Sequence, residues 1–225
     1  MLVGNGLIAK SFSIFREENN IIIFASGVSD SKCIEISEFD RERNLLLSQD
    51  RGKKIIYFST YSISDGSLIN EYIQHKIDME SLVENNFEDW LILRLPTVVG
   101  HGGNNNNFFN YISNRLKKNL PINTYENTYR SLIDVDDLLP LIKNIIYNVS
   151  NKKIDVSLDN QTLVTDIVKE MLIISDSKSN LIRTKCSGNS PVDNTQFKSI
   201  CEVFNKTNKP NYNSLLIKKY LLNES

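Results

Sequence analysis

Short apolar runs at positions 2–3, 21–25, 55–58 and 91–95 punctuate the first part of the chain. Each is too short for a buried helix and lacks the alternation of a half-exposed strand. The pattern therefore predicts strands buried on both faces. Between the runs, apolar residues recur at helical spacing over 7–15, 39–49 and 72–85. Strand alternating with helix predicts an α/β protein, a right-handed doubly wound parallel sheet. Ligands of such a sheet bind beyond the carboxyl ends of its strands. Gly4, Ser26, Thr60 and Thr97 all fall at those ends.

From His101 the pattern changes. A polar loop with four consecutive asparagines, Asn104 to Asn107, precedes a predicted helix over 108–118 with apolar residues at 108, 109, 112 and 116. The asparagines are either sugar-facing amides or a solvated loop, and His101 reads as a loop residue rather than a base. Asp134, Asp136 and Asp137 read as an acidic N-terminal cluster ahead of a helix over 138–147, where negative charge is favoured, and not as a metal site. A short strand over 154–158 and an amphipathic helix over 161–174 follow, with Thr162 or Thr165 as candidate caps. Positions 178–209 read as polar and loop-rich around a short helix at 194–204. A terminal helix at 214–222 packs by Leu215, Leu216, Tyr220 and Leu221.

Composition narrows the classes. At 225 residues the chain can bury a sizeable core. Its 26 basic and 27 acidic residues nearly cancel, which argues against an electrostatic nucleic-acid binder. Cys33, Cys186 and Cys201 are far apart and odd in number. They predict neither a disulfide framework nor a zinc site and favour a reducing, cytoplasmic setting. No apolar run approaches the ~20 residues of a membrane helix. Met1 leads directly into a glycine loop that removal of a leader would destroy, so no signal peptide is expected.

Two local patterns carry candidate chemistry. Gly4-Asn5-Gly6-Leu7-Ile8-Ala9 has the G-x-G-x-x-G/A spacing of a dinucleotide-binding turn. There the first glycine permits the tight turn, the second lets the backbone approach a pyrophosphate, and a small third residue allows close helix–strand packing. An ordinary glycine turn in a strand–helix unit has the same appearance. Tyr72 and Lys76, four apart, share one helix face, and a cation one turn away favours ionisation of a phenol. The pair is either a proton-transfer device or an amphipathic surface pair. Arg130 is a candidate diphosphate clamp, with an ion pair to Asp134, Asp136 or Asp137 as the alternative.

Taken in order, these segments resemble the extended short-chain dehydrogenases/reductases that act on nucleotide sugars. Gly4 to Ala9 matches the cofactor loop, and the run 21–27, ending Ala25-Ser26-Gly27, is similar to the strand beside the nicotinamide ribose. Asn44-Leu45-Leu46-Leu47 resembles the helix that follows it. The run 57–66 is similar to the active-site strand of the dTDP-4-keto-6-deoxysugar reductases, which places the catalytic hydroxyl on Thr60. The run 91–100 resembles the family's Leu-Arg strand, with Thr97 where Asn is common. Arg130 to Asp137 is similar to the segment whose Arg meets the nucleotide diphosphate.

The resemblance implies a Rossmann-like sheet with a dinucleotide-binding core at 1–100 and a small α+β substrate lobe at 101–225, as one unit. It implies NAD or NADP, held by Gly4, Asn5, Gly6, Leu7, Ile8, Ser26, Gly27 and Thr97, and a nucleotide-sugar substrate met by Arg130. Thr60, Tyr72 and Lys76 would form the catalytic set, with Tyr72 as acid/base, in an oxidoreductase or epimerase of surface polysaccharide synthesis. Reduction is favoured by the 57–66 likeness, and a dehydratase is disfavoured because Tyr61, not an acid, follows Thr60. The chain departs from the family in lacking two strand–helix units after the glycine loop, and with them the acid that reads the adenosine ribose. That shortening leaves an open sheet edge, which invites pairing with a second copy, and it motivates a rival reading as a catalytically silent binding or regulatory subunit.

Overall fold

Side-chain alternation along the apolar runs decides the architecture of the computed structural model, which describes residues 1–222; positions 223–225 of the expected C-terminal lobe lie outside the described residues. The first half runs β1 (Leu2–Val3), α1 (Leu7–Ser11), β2 (Ile21–Phe24), α2 (Ile36–Leu47), β3 (Lys54–Thr60), α3 (Glu71–Asn86) and β4 (Trp90–Leu95). Then come β5 (Thr97–Val99), α4 (Phe108–Lys117), β6 (Ile122–Tyr125), β7 (Tyr129–Arg130), β8 (Leu132–Asp134) and α5 (Val135–Asn148). The chain ends with β9 (Lys152–Asp155), β10 (Thr162–Leu163), α6 (Val164–Ser175), β11 (Leu181–Thr184), α7 (Thr195–Ile200), α8 (Phe204–Thr207) and α9 (Tyr212–Leu222).

The main sheet has the order β1-β2-β3-β4-β9, every pair parallel. Successive residues of a strand face opposite sides, and here both sides are dry. Ile21, Ile23, Ile56, Phe58, Leu91 and Leu93 enter one core with Phe12, Phe15 and the apolar stripes of α4 and α5. Ile22, Phe24, Ile55, Tyr57 and Ile92 enter a second core with Leu46 of α2 and Met79 and Val83 of α3. Burial of each such side chain contributes about 1.5–3 kcal/mol relative to exposure, so a one-residue slip is not tolerated on either face.

The short link from β1 to β2 has a topological consequence. From β1 to β2, and from β2 to β3, the sheet advances in the same direction. Yet Phe12 and Phe15 of the first connection lie on one face, and Leu46 of the second on the other. The two crossovers therefore have opposite hands. Right-handed crossovers are the rule, and the long helical links through α2 and α3 are the ones expected to obey it. Among these first three links, the one of the other hand is the short one. The helix expected over 7–15 breaks at Phe12 into the five-residue α1 and a 3₁₀ turn at Ser13–Phe15, which turns the chain back to β2.

The caps follow the sequence where a polar side chain precedes the helix. Asn70 accepts from the Ile73 amide at 2.9 Å and starts α3. Asp134 accepts from the Asp136 amide at 2.9 Å and starts α5, with Asp136 and Asp137 in its first turn. Other expectations need correction. The helix expected from 161 starts at Val164, because Thr162 and Leu163 pair antiparallel with β7; Leu163 takes the cap position and neither threonine caps. The polar stretch from 178 hides β11, which pairs parallel with β6. The helix expected at 194–204 is two short ones, α7 and α8.

Residues from both sides of position 100, among them Ile56, Leu93, Ile167, Phe197 and Ile217, share one core. Gly4 sits at the turn out of β1 with φ +123°, and a β-carbon there would lie 2.3 Å from the Ala25 carbonyl oxygen. Gly4→Ala is expected to lower the urea-unfolding free energy by about 2 kcal/mol or more, since both strain and a backbone clash must be relieved. Gly6→Ala, with open space at its β-carbon, is the control expected to stay within about 0.5 kcal/mol of the native protein.

Candidate functional site at the carboxyl ends of the sheet

All strands of the main sheet point one way, so the segments leaving β1, β2, β3 and β4 emerge at one edge. This brings the glycine turn, Ser26-Gly27, Thr60 and Thr97 to the same end of the molecule. Asn5 and Gly6 are exposed, and nothing stands within 4 Å of where a Gly6 β-carbon would be. Leu7 packs beneath Gly100 and Gly103, and Ile8 lies against the core. The Ser26 carbonyl accepts from Arg41 Nη1 at 3.2 Å. Thr60 accepts from the Ser62 amide at 3.3 Å, which leaves its hydroxyl proton free to donate elsewhere.

The Tyr–Lys face of α3 is built more deeply than its spacing suggests. Tyr72 is half-buried, and its hydroxyl enters none of the hydrogen bonds among the described residues. Lys76 is buried. Its Nζ donates to Glu42 Oε1 at 2.9 Å and to the Tyr57 hydroxyl at 3.1 Å, and lies 6.0 Å from the Tyr72 ring centre. Glu42, on α2, is fully buried and gathers three further donors. These are the Val28 amide at 2.6 Å, the Tyr57 hydroxyl at 2.6 Å and His75 Nε2 at 2.9 Å, with His75 stacked on Phe39. Burial alone would raise the Glu42 pKa, but the Lys76 charge and the hydrogen bonds from His75, Tyr57 and Lys76 outweigh it. They hold the carboxyl well below its usual range. Burial, and then the neighbouring Glu42 carboxylate, push the Tyr57 phenol well above its usual value.

One turn further along α3, Glu80 receives Arg94 in a bidentate pair, Nε to Oε1 at 2.9 Å and Nη2 to Oε2 at 2.7 Å. Ser59 donates to Glu80 at 2.6 Å, and Lys153 lies 3.5 Å away. The face 72, 76, 80 is thus continuous, and Arg94 ties β4 to it. Glu42, Tyr57 and Glu80 were missed in the sequence. The signal for Glu80 was its place one turn after Lys76, and for Glu42 its place one turn before the buried Leu46.

Arg130, on β7, meets a different environment. Its Nη1 reaches Thr97 Oγ1 at 3.5 Å, its guanidinium carbon lies 4.8 Å over the Phe108 ring, and its buried Nε has no hydrogen-bond partner. Burial pulls its pKa down, with Asp65 opposing. The acids expected as alternative partners are engaged elsewhere: Asp134 and Asp136 pair with Lys219, and Asp137 accepts from Tyr212. In the asparagine loop, Asn107 caps α4 and Asn106 donates to Asp30 at 2.8 Å, while the His101 ring packs 4.9 Å from that of Tyr220. Among the described residues no group of His, Cys, Asp and Glu is arranged to hold a metal, and no helix is long and apolar enough to cross a membrane.

No family model matches the sequence, and no curated protein sequence matches it. Solved structures do match. The UDP-glucose 4-epimerase of Thermus thermophilus, in complex with NAD, aligns with TM-score 0.69 at 13% identity, over 98% of this chain and 84% of that one. The UDP-glucuronic acid 4-epimerase of Bacillus cereus, in complex with UDP-glucuronic acid and NAD, aligns with TM-score 0.70 at 15% identity, over 96% and 79%. The dTDP-4-dehydrorhamnose reductase of Bacillus anthracis, in complex with NADP, aligns with TM-score 0.64 at 17% identity, over 97% and 86%. The chain has the Rossmann-like α/β fold of these extended short-chain dehydrogenase/reductase enzymes.

Glu42 sets an acid limb to stability. Its folded-state pKa lies below the ordinary 4.5, so its contribution is full above that pH and is lost as the pH falls toward the folded value. Urea unfolding of the native protein is expected to weaken between about pH 5 and pH 3. Glu42→Gln, which cannot titrate, is expected to show a smaller loss over that range, though it is less stable at neutral pH.

Proposed function

We propose that the chain binds NAD or NADP and a nucleotide-activated sugar across the carboxyl ends of its strands. In this reading it is an oxidoreductase or epimerase of surface polysaccharide synthesis. The observation that carries it is Arg130, a largely desolvated guanidinium with no carboxylate partner, set beside Thr97 and Phe108. A buried cation left unpaired is costly, and a bidentate phosphate restores what it lacks. The complexes of the similar enzymes, with NAD, NADP and UDP-glucuronic acid, support the same ligand classes.

The residues present fit one end of a dinucleotide. The open space at Gly6 admits a phosphate against backbone, and Ser26, Gly27 and Thr97 flank it at the neighbouring strand ends. At the adenosine end the sheet stops at β1, with no further strand among the described residues to read the ribose. When bound, a nicotinamide supplies hydride exchange with a sugar carbon. The chain's own part is proton transfer between the unengaged Tyr72 hydroxyl and the sugar oxygen, which the Thr60 hydroxyl orients. Arg130 clamps the diphosphate.

A second reading, a catalytically silent binding or regulatory subunit, is favoured by one observation: the Lys76 ammonium already has a carboxylate partner in Glu42. Fluorescence titration with NADH and NADPH separates the two. Saturation in the micromolar range, with Tyr72→Phe keeping binding but losing nearly all turnover of a keto-sugar nucleotide, is the enzyme result. No binding of either cofactor by folded protein would sink it. Arg130→Leu is expected to weaken sugar-nucleotide binding by about 10- to 100-fold, the loss of charge-assisted hydrogen bonds, and to leave NADH binding nearly unchanged. Calorimetric titration with a nucleoside diphosphate sugar measures it.

A further inference from the structure

The Lys76 ammonium has three protons to donate. One goes to Glu42 Oε1 and one to the Tyr57 hydroxyl, and the pair lies directly beneath the backbone of Gly27: a β-carbon added there would fall 2.7 Å from Lys76 Nζ and 2.8 Å from Glu42 Oε1. Both side chains are nearly without solvent contact, at 3% and 0% exposure. The carboxylate is itself fixed from four elements, by Val28 after β2, Tyr57 on β3, and His75 and Lys76 on α3, with Glu42 on α2. A buried ammonium held this way cannot turn toward a ligand at the strand ends without leaving an uncompensated carboxylate behind.

We propose that Glu42 is a positioning residue that restrains Lys76: its carboxylate holds the ammonium beneath Gly27 and so sets how much of that cation a ligand at the strand ends can use. The use of a released Lys76 by a nicotinamide cofactor rests on the function proposed above; the restraint does not. Glu42 thereby acts on the site through another residue and touches no ligand. His75 belongs to the same restraint. Its ring completes the carboxylate's shell and also lines a groove between α2 and α3 with Phe39, Arg43 and Gln74.

The test is the amine reactivity of Lys76 in the full chain, read by mass spectrometry after brief acetic anhydride labelling at neutral pH. In the native protein Lys76 is expected to label at least tenfold more slowly than the exposed Lys10 and Lys185. That comparison needs no variant, and equal labelling would overturn the proposal. Glu42→Gln removes the charge and keeps one acceptor oxygen, which can serve either the Oε1 partners Tyr57 and Lys76 or the Oε2 partners Val28 and His75, and it is expected to raise Lys76 labelling at least fivefold while other lysines stay unchanged.

Tyr57→Phe is the control for loosening of the cluster, because it removes two hydrogen bonds, to Glu42 and from Lys76, and leaves the ion pair. A rise in Tyr57→Phe equal to that in Glu42→Gln would overturn the assignment to Glu42, as would no rise in Glu42→Gln. NADH titration of the same proteins is then read separately. Tighter binding by Glu42→Gln than by native protein ties the released amine to the cofactor. Raised labelling without any change in NADH binding leaves the restraint standing and counts against the cofactor reading instead.

Discussion

A carboxylate without access to water must be surrounded by donors, and Glu42 is the place where that requirement binds the first half of the chain together. The side chain enters from α2, yet its partners come from the segment after β2, from β3 and from α3. Desolvating the charge costs several kcal/mol, which is recovered only if every partner is in place. The relative positions of two helices and two strands are therefore coupled to one another through a single group. An apolar contact of similar size would tolerate sliding; this shell does not.

The same logic distinguishes the other buried charges. Glu80 and Arg94 satisfy each other bidentately and add Ser59, so the second turn of the α3 face is closed electrostatically. Asp134 caps α5 and also receives Lys219 and the Tyr220 hydroxyl, which docks α9 on the main body. Arg130 stands apart from this pattern. Its nearest support is a threonine hydroxyl and an aromatic face, both neutral. Arg130, whose buried Nε lacks a partner, lies beside Thr97 just beyond β4, and the contrast with Glu42, Glu80 and Asp134 gives it its weight.

Shortening the sheet was legible as the absence of strand–helix patterns between the glycine turn and the second apolar run. Its consequence was not. The early apolar residues Phe12 and Phe15 remain on the face that α5 covers, while α2 and α3 occupy the other. The first link has the hand opposite to that of the α2 link because Phe12 and Phe15 pack on the face that α5 covers. In the second half, β10 and β11 escaped notice because two- and four-residue strands carry too little periodicity to stand out, and Arg183 and Thr184 of β11 are exposed.

The sequence alone determined the parallel α/β core, the edge at which Gly4, Ser26, Thr60 and Thr97 fall, the helix bearing Tyr72 and Lys76, and the acidic start of α5. These follow from local periodicity, turn residues and capping side chains, which act over a few positions and can be read without knowing what packs where. Only the tertiary structure decided which charges meet. Glu42 and Lys76 are 34 residues apart, and nothing in the spacing of either announces the other. Their pairing, the opposite hand of the first crossover and the lack of a carboxylate hydrogen-bonded to Arg130 arise when elements distant in sequence are pressed into one dry interior. There a charge must find its partners among distant residues or remain costly.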